Sequence, residues 1–168
     1  MIRRERVEDF NEVYDVVKAA FATAECSDGK EQDLVVALRN SDAYVPELSL
    51  VAEVDGKIVG HIMFTEAEVG NRTELVLAPL AVLPEHQRQG IGMALIVEGH
   101  RIARELGYGY SVVLGSEKYY PRFGYIPAVP MGIEVPDGFS SINFMAVKLT
   151  DDAGPVEGGV KYAKEFGI

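Results

Sequence analysis

The sequence predicts an α/β protein built on one mixed sheet, and three observations carry that prediction. Two β-rich runs in "LSLVAEVDGKIVGHIMF" flank Asp55-Gly56, a hairpin signal because a type I′ turn needs positive φ at both central positions. A third run, "TELVLAPLAVL" (73–83), passes through a glycine-bearing turn into a helical stretch and then a further strand, "YSVVLG" (110–115). That crossover must be right-handed and parallel or nearly so, whereas the hairpins before it are antiparallel.

Each element follows from its local pattern. Residues 8–22 set Phe10, Val13, Val17 and Phe21 at helical spacing, and 29–40 continue with Leu34, Ala37 and Leu38 on the inward side. The hairpin and the third strand come next, joined by the short turn "GNR". Pro79 lies inside that third strand. It has no N–H for a ladder, so it predicts an edge, a bulge or a gap beside its neighbour. A helix over about 89–106 is bounded by Gly107 as its C′ residue. The strand 110–115, the irregular "SEKYYPRFGY" (116–125) and a last strand over 142–149 complete the order α-α-β-β-β-α-β-(short α)-β-β. Residues 1–150 form the domain. The tail, 151–168, is Gly-rich and then weakly helical, and is expected to pack peripherally on the same domain.

Composition bounds what the chain does. At 168 residues it can bury a proper core, and 48% hydrophobic with 25% charged residues is ordinary for a folded globular protein. The net charge of −10 argues against a nucleic-acid surface, which needs clustered Lys and Arg, and favours approach of a cationic substrate. No apolar run approaches the roughly 18 residues of a membrane helix, and "MIRRERVEDF" has no apolar stretch of the secretory kind. Cys26 is the single cysteine, so no intrachain disulfide or zinc-finger spacing exists. His61, His86 and His100 show no metal-ligand spacing. The reducing cytoplasm is the expected setting, with no metal.

The junction "VLPEHQRQGIGMALI" carries the chemistry. A dinucleotide G-x-G-x-x-G fingerprint fails, since Leu95 stands where the third glycine would be; a Walker loop fails because no Gly-Lys-Ser/Thr follows. A strand–turn–helix whose amides bind a phosphate remains, against the plainer reading of a merely tight turn. Gly90 and Gly92 allow close backbone approach, and Arg88 adds a charge.

These residues resemble the signature of the GNAT superfamily of acyl-CoA-dependent N-acetyltransferases. Its Gln/Arg-x-x-Gly-x-Gly/Ala pattern, opening a helix after a strand, is matched by Gln87-Arg88-Gln89-Gly90-Ile91-Gly92. A second family block, ending in Gly-aromatic after the next strand, is matched by Tyr119-Tyr120-Pro121-Arg122-Phe123-Gly124-Tyr125, and "YYPRFG" is typical of a YhbS-type subgroup. The hairpin also looks like the family's first. Together the three blocks span about residues 2–149.

The resemblance implies the GNAT fold, a mostly antiparallel sheet with one splayed parallel strand pair flanked by helices. It implies acetyl-CoA as co-substrate and a primary amine as acceptor. Pantetheine would lie against the main chain of Leu80, Ala81 and Val82, with the Val82 N–H as oxyanion donor. The pyrophosphate would sit over the amides from Arg88 through Met93, and Gln87, Ser116, Tyr119 and Tyr120 would complete the coenzyme site. Tyr120 aligns with the tyrosine that protonates or hydrogen-bonds the departing sulfur; Tyr119 is its rival, and a packed aromatic pair is the plainer alternative. The general base is drawn from Glu66, Glu68, Glu74, Glu25 and Glu31, with Glu66 put first and water as the other option. Arg101 and Arg104 read as surface charges paired with Glu98 or Glu105. A CoA-binding sensor without turnover is the alternative function, and a purely structural domain leaves "QRQGIG" unexplained. GNAT proteins are often dimers, so a homodimer through the tail stays open.

Overall fold

The computed structural model describes residues 1–24 and 27–168. Among the described residues three α-helices, α1 (Phe10–Phe21), α2 (Glu31–Arg39) and α3 (Ile91–Glu105), pack on one eight-stranded sheet. The strands are β1 (Ile2–Arg4), β2 (Tyr44–Val54), β3 (Lys57–Val69), β4 (Arg72–Val82), β5 (Tyr110–Leu114), β6 (Ile126–Pro127), β7 (Phe144–Lys148) and β8 (Val160–Lys161). The path runs β1-β2-β3-β4-β5-β7-β6, and β8 joins β3. All pairings are antiparallel except β4 with β5.

Local chemistry explains the elements. The β2–β3 turn has φ of 51° at Asp55 and 77° at Gly56, the pair of positive values expected of a type I′ hairpin. In α1 the buried face is Val13, Val16 and Val17; in α2 it is Gln32, Val35 and Leu38, so Val35 rather than Ala37 is the inward partner of Leu38. Gly107, with φ of 92°, follows α3 as its C′ residue.

Side chains alternate across β3, and the alternation assigns the layers. Gly60 and Phe64 meet α3: a Cβ on Gly60 would lie 3.1 Å from an Ile91 methyl carbon, and one on Gly99 would overlap the Phe64 ring. His61, between them in sequence, points to the opposite face, where Glu5 and Arg39 of α2 lie. The α3–sheet contact therefore depends on two glycines, Gly60 on the strand and Gly99 within the helix. Gly99→Ala is expected to cost about 1–3 kcal/mol by overpacking, read as a lower urea midpoint at unchanged slope.

Two strands escape the sequence pattern. β1 is three residues long, pairing Ile2–Arg4 with Leu50–Ala52. β8 belongs to the tail, which is integral rather than peripheral. β2 leaves β3 after Tyr44 opposite Thr65, and Val160–Lys161 then take the same β3 edge at Glu68 and Val69. The tail's Val156 is buried in a second core cluster with Val69, Val112 and Phe144. Among the described residues, no helix is long and apolar enough to cross a membrane.

Candidate functional site

The site begins where β4 and β5 part. Their parallel pairing is confined to Leu75–Ser111 and Val76–Val112. Beyond it, β4 continues to Val82 paired only with β3. Leu80 and Phe64 mark a register shift: Ala78 and Pro79, joined by a cis peptide, lie between the pairs Ile62–Leu80 and Phe64–Leu77, with Met63 alone opposite. Pro79 thus lies in a bulge on the β3 side, and the β5 side has already opened after Val76.

Register decides which peptide groups face the gap. The Leu83 N–H donates to Val59 C=O at 2.8 Å. Antiparallel ladders alternate, so Ala81, opposite His61, spends its peptide groups on β3, while Leu80 and Val82 turn theirs toward the missing β5 neighbour. Ala81 departs from its expected role for this reason: its side chain is buried and its main chain is engaged. The Val82 carbonyl accepts from Gln87 Nε2 at 3.1 Å, which ties the turn back to the strand end and leaves the Val82 N–H toward the gap.

The turn itself is shaped by two left-handed residues. Arg88 and Gly90 both take left-handed φ, 62° and 86°, and Gly90 is the N-cap of α3. Among the described residues no amide from Arg88 through Met93 donates to a protein acceptor; the first satisfied one is Ala94, to the Gly90 carbonyl at 3.0 Å. These amides and the positive end of a fifteen-residue helix converge on one place. Gln89 Nε2 donates to the Glu85 carbonyl, so this glutamine scaffolds the turn. Ile91 packs its side chain on Gly60 and contributes its N–H alone.

A cavity of about 590 Å³ opens over this turn, lined by Leu80, Val82, Gln87, Arg88, Gly90, Gly92 and Met93 from one side. Tyr119, Arg122 and Phe123 line it from the other. No carboxylate lines it, although the chain carries 26 Asp and Glu residues. Tyr119 leans over α3, and a Cβ on Gly92 would stand 2.6 Å from its hydroxyl oxygen. Tyr120 stands behind, its ring against Gly115 and edge-on to Tyr119 and Tyr125 at centroid distances of 5.2 and 5.7 Å. Tyr120 is half-buried, and none of the side-chain hydrogen bonds among the described residues uses its hydroxyl. Burial raises both phenols above their ordinary value, so both keep their protons at neutral pH. Ser116 is outside this wall; its hydroxyl accepts from the Lys118 N–H and its carbonyl starts the turn carrying the two tyrosines. Arg122, His86 and Phe123 were not singled out from sequence. The "YYPRFG" run held two of them, but nothing in the pattern said which way the arginine faced.

The carboxylates fall elsewhere. Glu66 sits opposite Leu75, where β4 and β5 are still paired, and its Oε2 accepts from the Tyr108 hydroxyl. It lines a separate depression of about 620 Å³ with Asp42, Glu68 and Tyr162. Glu68 accepts from Thr73; Glu74 is buried and accepts from Arg72 and the amides of Gly109 and Tyr110; Glu31 accepts from Ser27 and Asp28. Glu25 and Cys26 lie outside the described residues. Arg101 pairs with Glu98 and Glu105 as the sequence suggests, whereas Arg104 donates to the Leu149 carbonyl. Among the described residues no cluster of three or more His, Cys, Asp or Glu side chains is arranged to hold a metal ion.

The chain that builds this parted strand pair is matched by a family model, that of the acetyltransferase (GNAT) family, over residues 10–125. The chain belongs to the GNAT family. Its relatives include the uncharacterized N-acetyltransferase YjhQ of Escherichia coli, 41% identical over 123 residues; the match takes in 71% of this chain and 65% of YjhQ. A GNAT family acetyltransferase from Brucella melitensis, solved in complex with acetyl-CoA, superposes with a TM-score of 0.81 at 36% identity, covering 99% of this chain and 97% of that one. Escherichia coli YhbS, solved with CoA, gives 0.89 at 29% identity over 100% and 92%. This GNAT member thus shares its fold with two coenzyme-bound structures along nearly its whole length.

Proposed function

We propose that the protein binds acetyl-CoA in the β4–β5 gap and transfers the acetyl group directly to a primary amine. The observation that carries this reading is the run of six unpartnered amides, Arg88 to Met93, beside the open main chain of Leu80 and Val82. The residues present fit the coenzyme: a dipolar cradle with Arg88 suits a pyrophosphate, and an exposed strand edge suits an amide-bearing pantetheine arm. Bound there, acetyl-CoA would supply an acyl thioester open to attack by an amine.

Each residue then has a task. The Val82 N–H donates to the carbonyl oxygen as it gains charge, a contribution worth on the order of 3 kcal/mol in other acyl transfers. Tyr120, half-buried and with no side-chain hydrogen bond among the described residues, would donate a hydrogen bond to the sulfur. Its raised pKa makes it a poor source of a full proton for a thiolate whose own conjugate acid is near 8.5, so stabilisation by hydrogen bonding is the better role. Tyr119 closes the cavity over Gly92. Glu66 is poorly placed as the base, because the sheet keeps it in the paired region of β4 and Tyr108 occupies it; water at the gap takes the ammonium proton instead. The chain's negative charge favours a cationic acceptor, and the single cysteine is compatible with a cytoplasmic setting.

Release of free thiol from acetyl-CoA across a panel of amines tests the reading. Tyr120→Phe is expected to slow amine-dependent release by ten- to a hundredfold while CoA binding is retained; Tyr119→Phe should act chiefly on binding. No heat from CoA at millimolar concentration overturns the proposal. The absence of a carboxylate from the cavity wall favours one second reading, an acyl-CoA sensor, which predicts tight binding and no thiol release with any amine.

A further inference from the structure

Arg122 has a setting that the amide cradle does not account for. It reaches the cavity from the turn Tyr120–Phe123, on the β5 side of the gap, whereas Arg88 reaches it from the β4–α3 turn on the other side. Neither guanidinium pairs with a carboxylate among the described residues. Arg3, Arg39, Arg72 and Arg101 do, whereas Arg4, Arg6 and Arg104 also lack a carboxylate partner among the described residues but do not line this cavity. Arg122 is held instead over the Tyr119 ring, 5.8 Å from its centroid. A cation–π contact orients a guanidinium without neutralising it, so the full charge and the planar fork stay available to a ligand.

Charge matching says which part of the ligand meets it. The diphosphate is served on the α3 side by the six free amides, the helix terminus and Arg88. Coenzyme A carries one more phosphate, on the 3′ position of its ribose, which needs a cation that the cradle has already spent. Across the cavity the guanidinium of Arg122 is such a cation, and its fork matches phosphate oxygens in pairs.

We propose that Arg122 binds the ribose 3′-phosphate, so that the cavity selects coenzyme A over dephospho-CoA. The inference rests on the coenzyme-binding reading above and adds to it the residue that discriminates between two otherwise identical ligands. Tyr119 is the positioning residue in this arrangement, since its ring is what holds the guanidinium toward the cavity.

Calorimetric titration of the full chain with CoA and with dephospho-CoA tests it directly. The unaltered protein is expected to bind CoA about tenfold more tightly. Arg122→Gln should weaken CoA about tenfold and dephospho-CoA less than twofold, which abolishes the preference. Arg88→Gln should weaken both ligands alike. A salt series needs no variant: from 50 to 500 mM the CoA preference of the unaltered protein should shrink, as expected for a partly exposed ion pair. The proposal is overturned if Arg122→Gln weakens both ligands equally, or if the unaltered protein binds them equally. If CoA and dephospho-CoA both fail to bind the unaltered protein, it is the coenzyme-binding reading that falls.

Discussion

Between pH 7 and pH 5 the protein is expected to lose about 3–4 kcal/mol of stability, and two buried histidines are the cause. His61 is fully buried, with Nε2 3.1 Å from Ser49 Oγ and Nδ1 without a partner. Burial, aided by Arg39 and opposed by Glu5, lowers its pKa to about 4. The 3.7 Å approach of Glu5 is therefore not an ion pair at neutral pH, since the imidazole there is uncharged. His100 on α3 also falls to about 4, through burial and Arg104, and its Nε2 meets the Tyr125 hydroxyl at 3.0 Å. Above pH 6.5 both rings are neutral in the folded and unfolded chains. As the pH falls from 6.5 toward 4 only the unfolded chain takes up the protons, so stability falls with it; below about 4 both states are protonated and the dependence ends. Glu5 and Asp9 act in the same direction at lower pH. Arg39 holds Glu5 below the usual range against a burial penalty that would raise it, and Arg3 does the same for Asp9. Urea midpoints at pH 7, 6 and 5 measure the effect, and His100→Gln should remove about half the slope. A flat profile would show that both rings take up protons as readily in the folded chain as in the unfolded one.

Gly70→Ala is the substitution expected to cost most in stability, roughly 2–5 kcal/mol from overpacking and left-handed strain together. Gly70 has φ of 61°, and a Cβ there would overlap the carbonyl of Glu157 in the tail. Its N–H donates to the Gly159 carbonyl at 2.9 Å, and Gly158 packs against its Cα. Backbone cannot move aside as a side-chain end can, so the tail must give way. Gly56→Ala is the control, with φ of 77° and nothing within 4 Å of the added carbon; it should cost about 1 kcal/mol. Denaturation of both variants, with limited proteolysis beyond residue 150, separates strain from docking. Equal losses would mean that the tail's seat on β3 contributes nothing.

What could be read in the chain beforehand was whatever local chemistry decides. Asp55-Gly56 dictates its turn in any context, and "QRQGIG" after an apolar run dictates a strand–helix corner. Pro79 announced an interruption of pairing but left its form open, because a bulge and a gap look alike from one strand. β1 and β8 are too short to carry a period; their pairing is imposed by the edges that β2 and β3 present. The candidate site was legible where open main chain defines it, at Leu80, Val82 and Arg88–Met93. It was not legible where side-chain direction matters. Tyr119 and Tyr120 are neighbours of one type, yet one lines the cavity and the other packs on Gly115. Glu66 differs from Glu74 by which strand face and which partner the hairpin register assigns.

The open edge of β4 is made of peptide groups, and a peptide is the same whichever residue bears it. Leu80 and Val82 can therefore exchange their side chains for others of similar bulk without altering what the strand offers a thioester. Heritable drift along this segment is filtered by core packing alone.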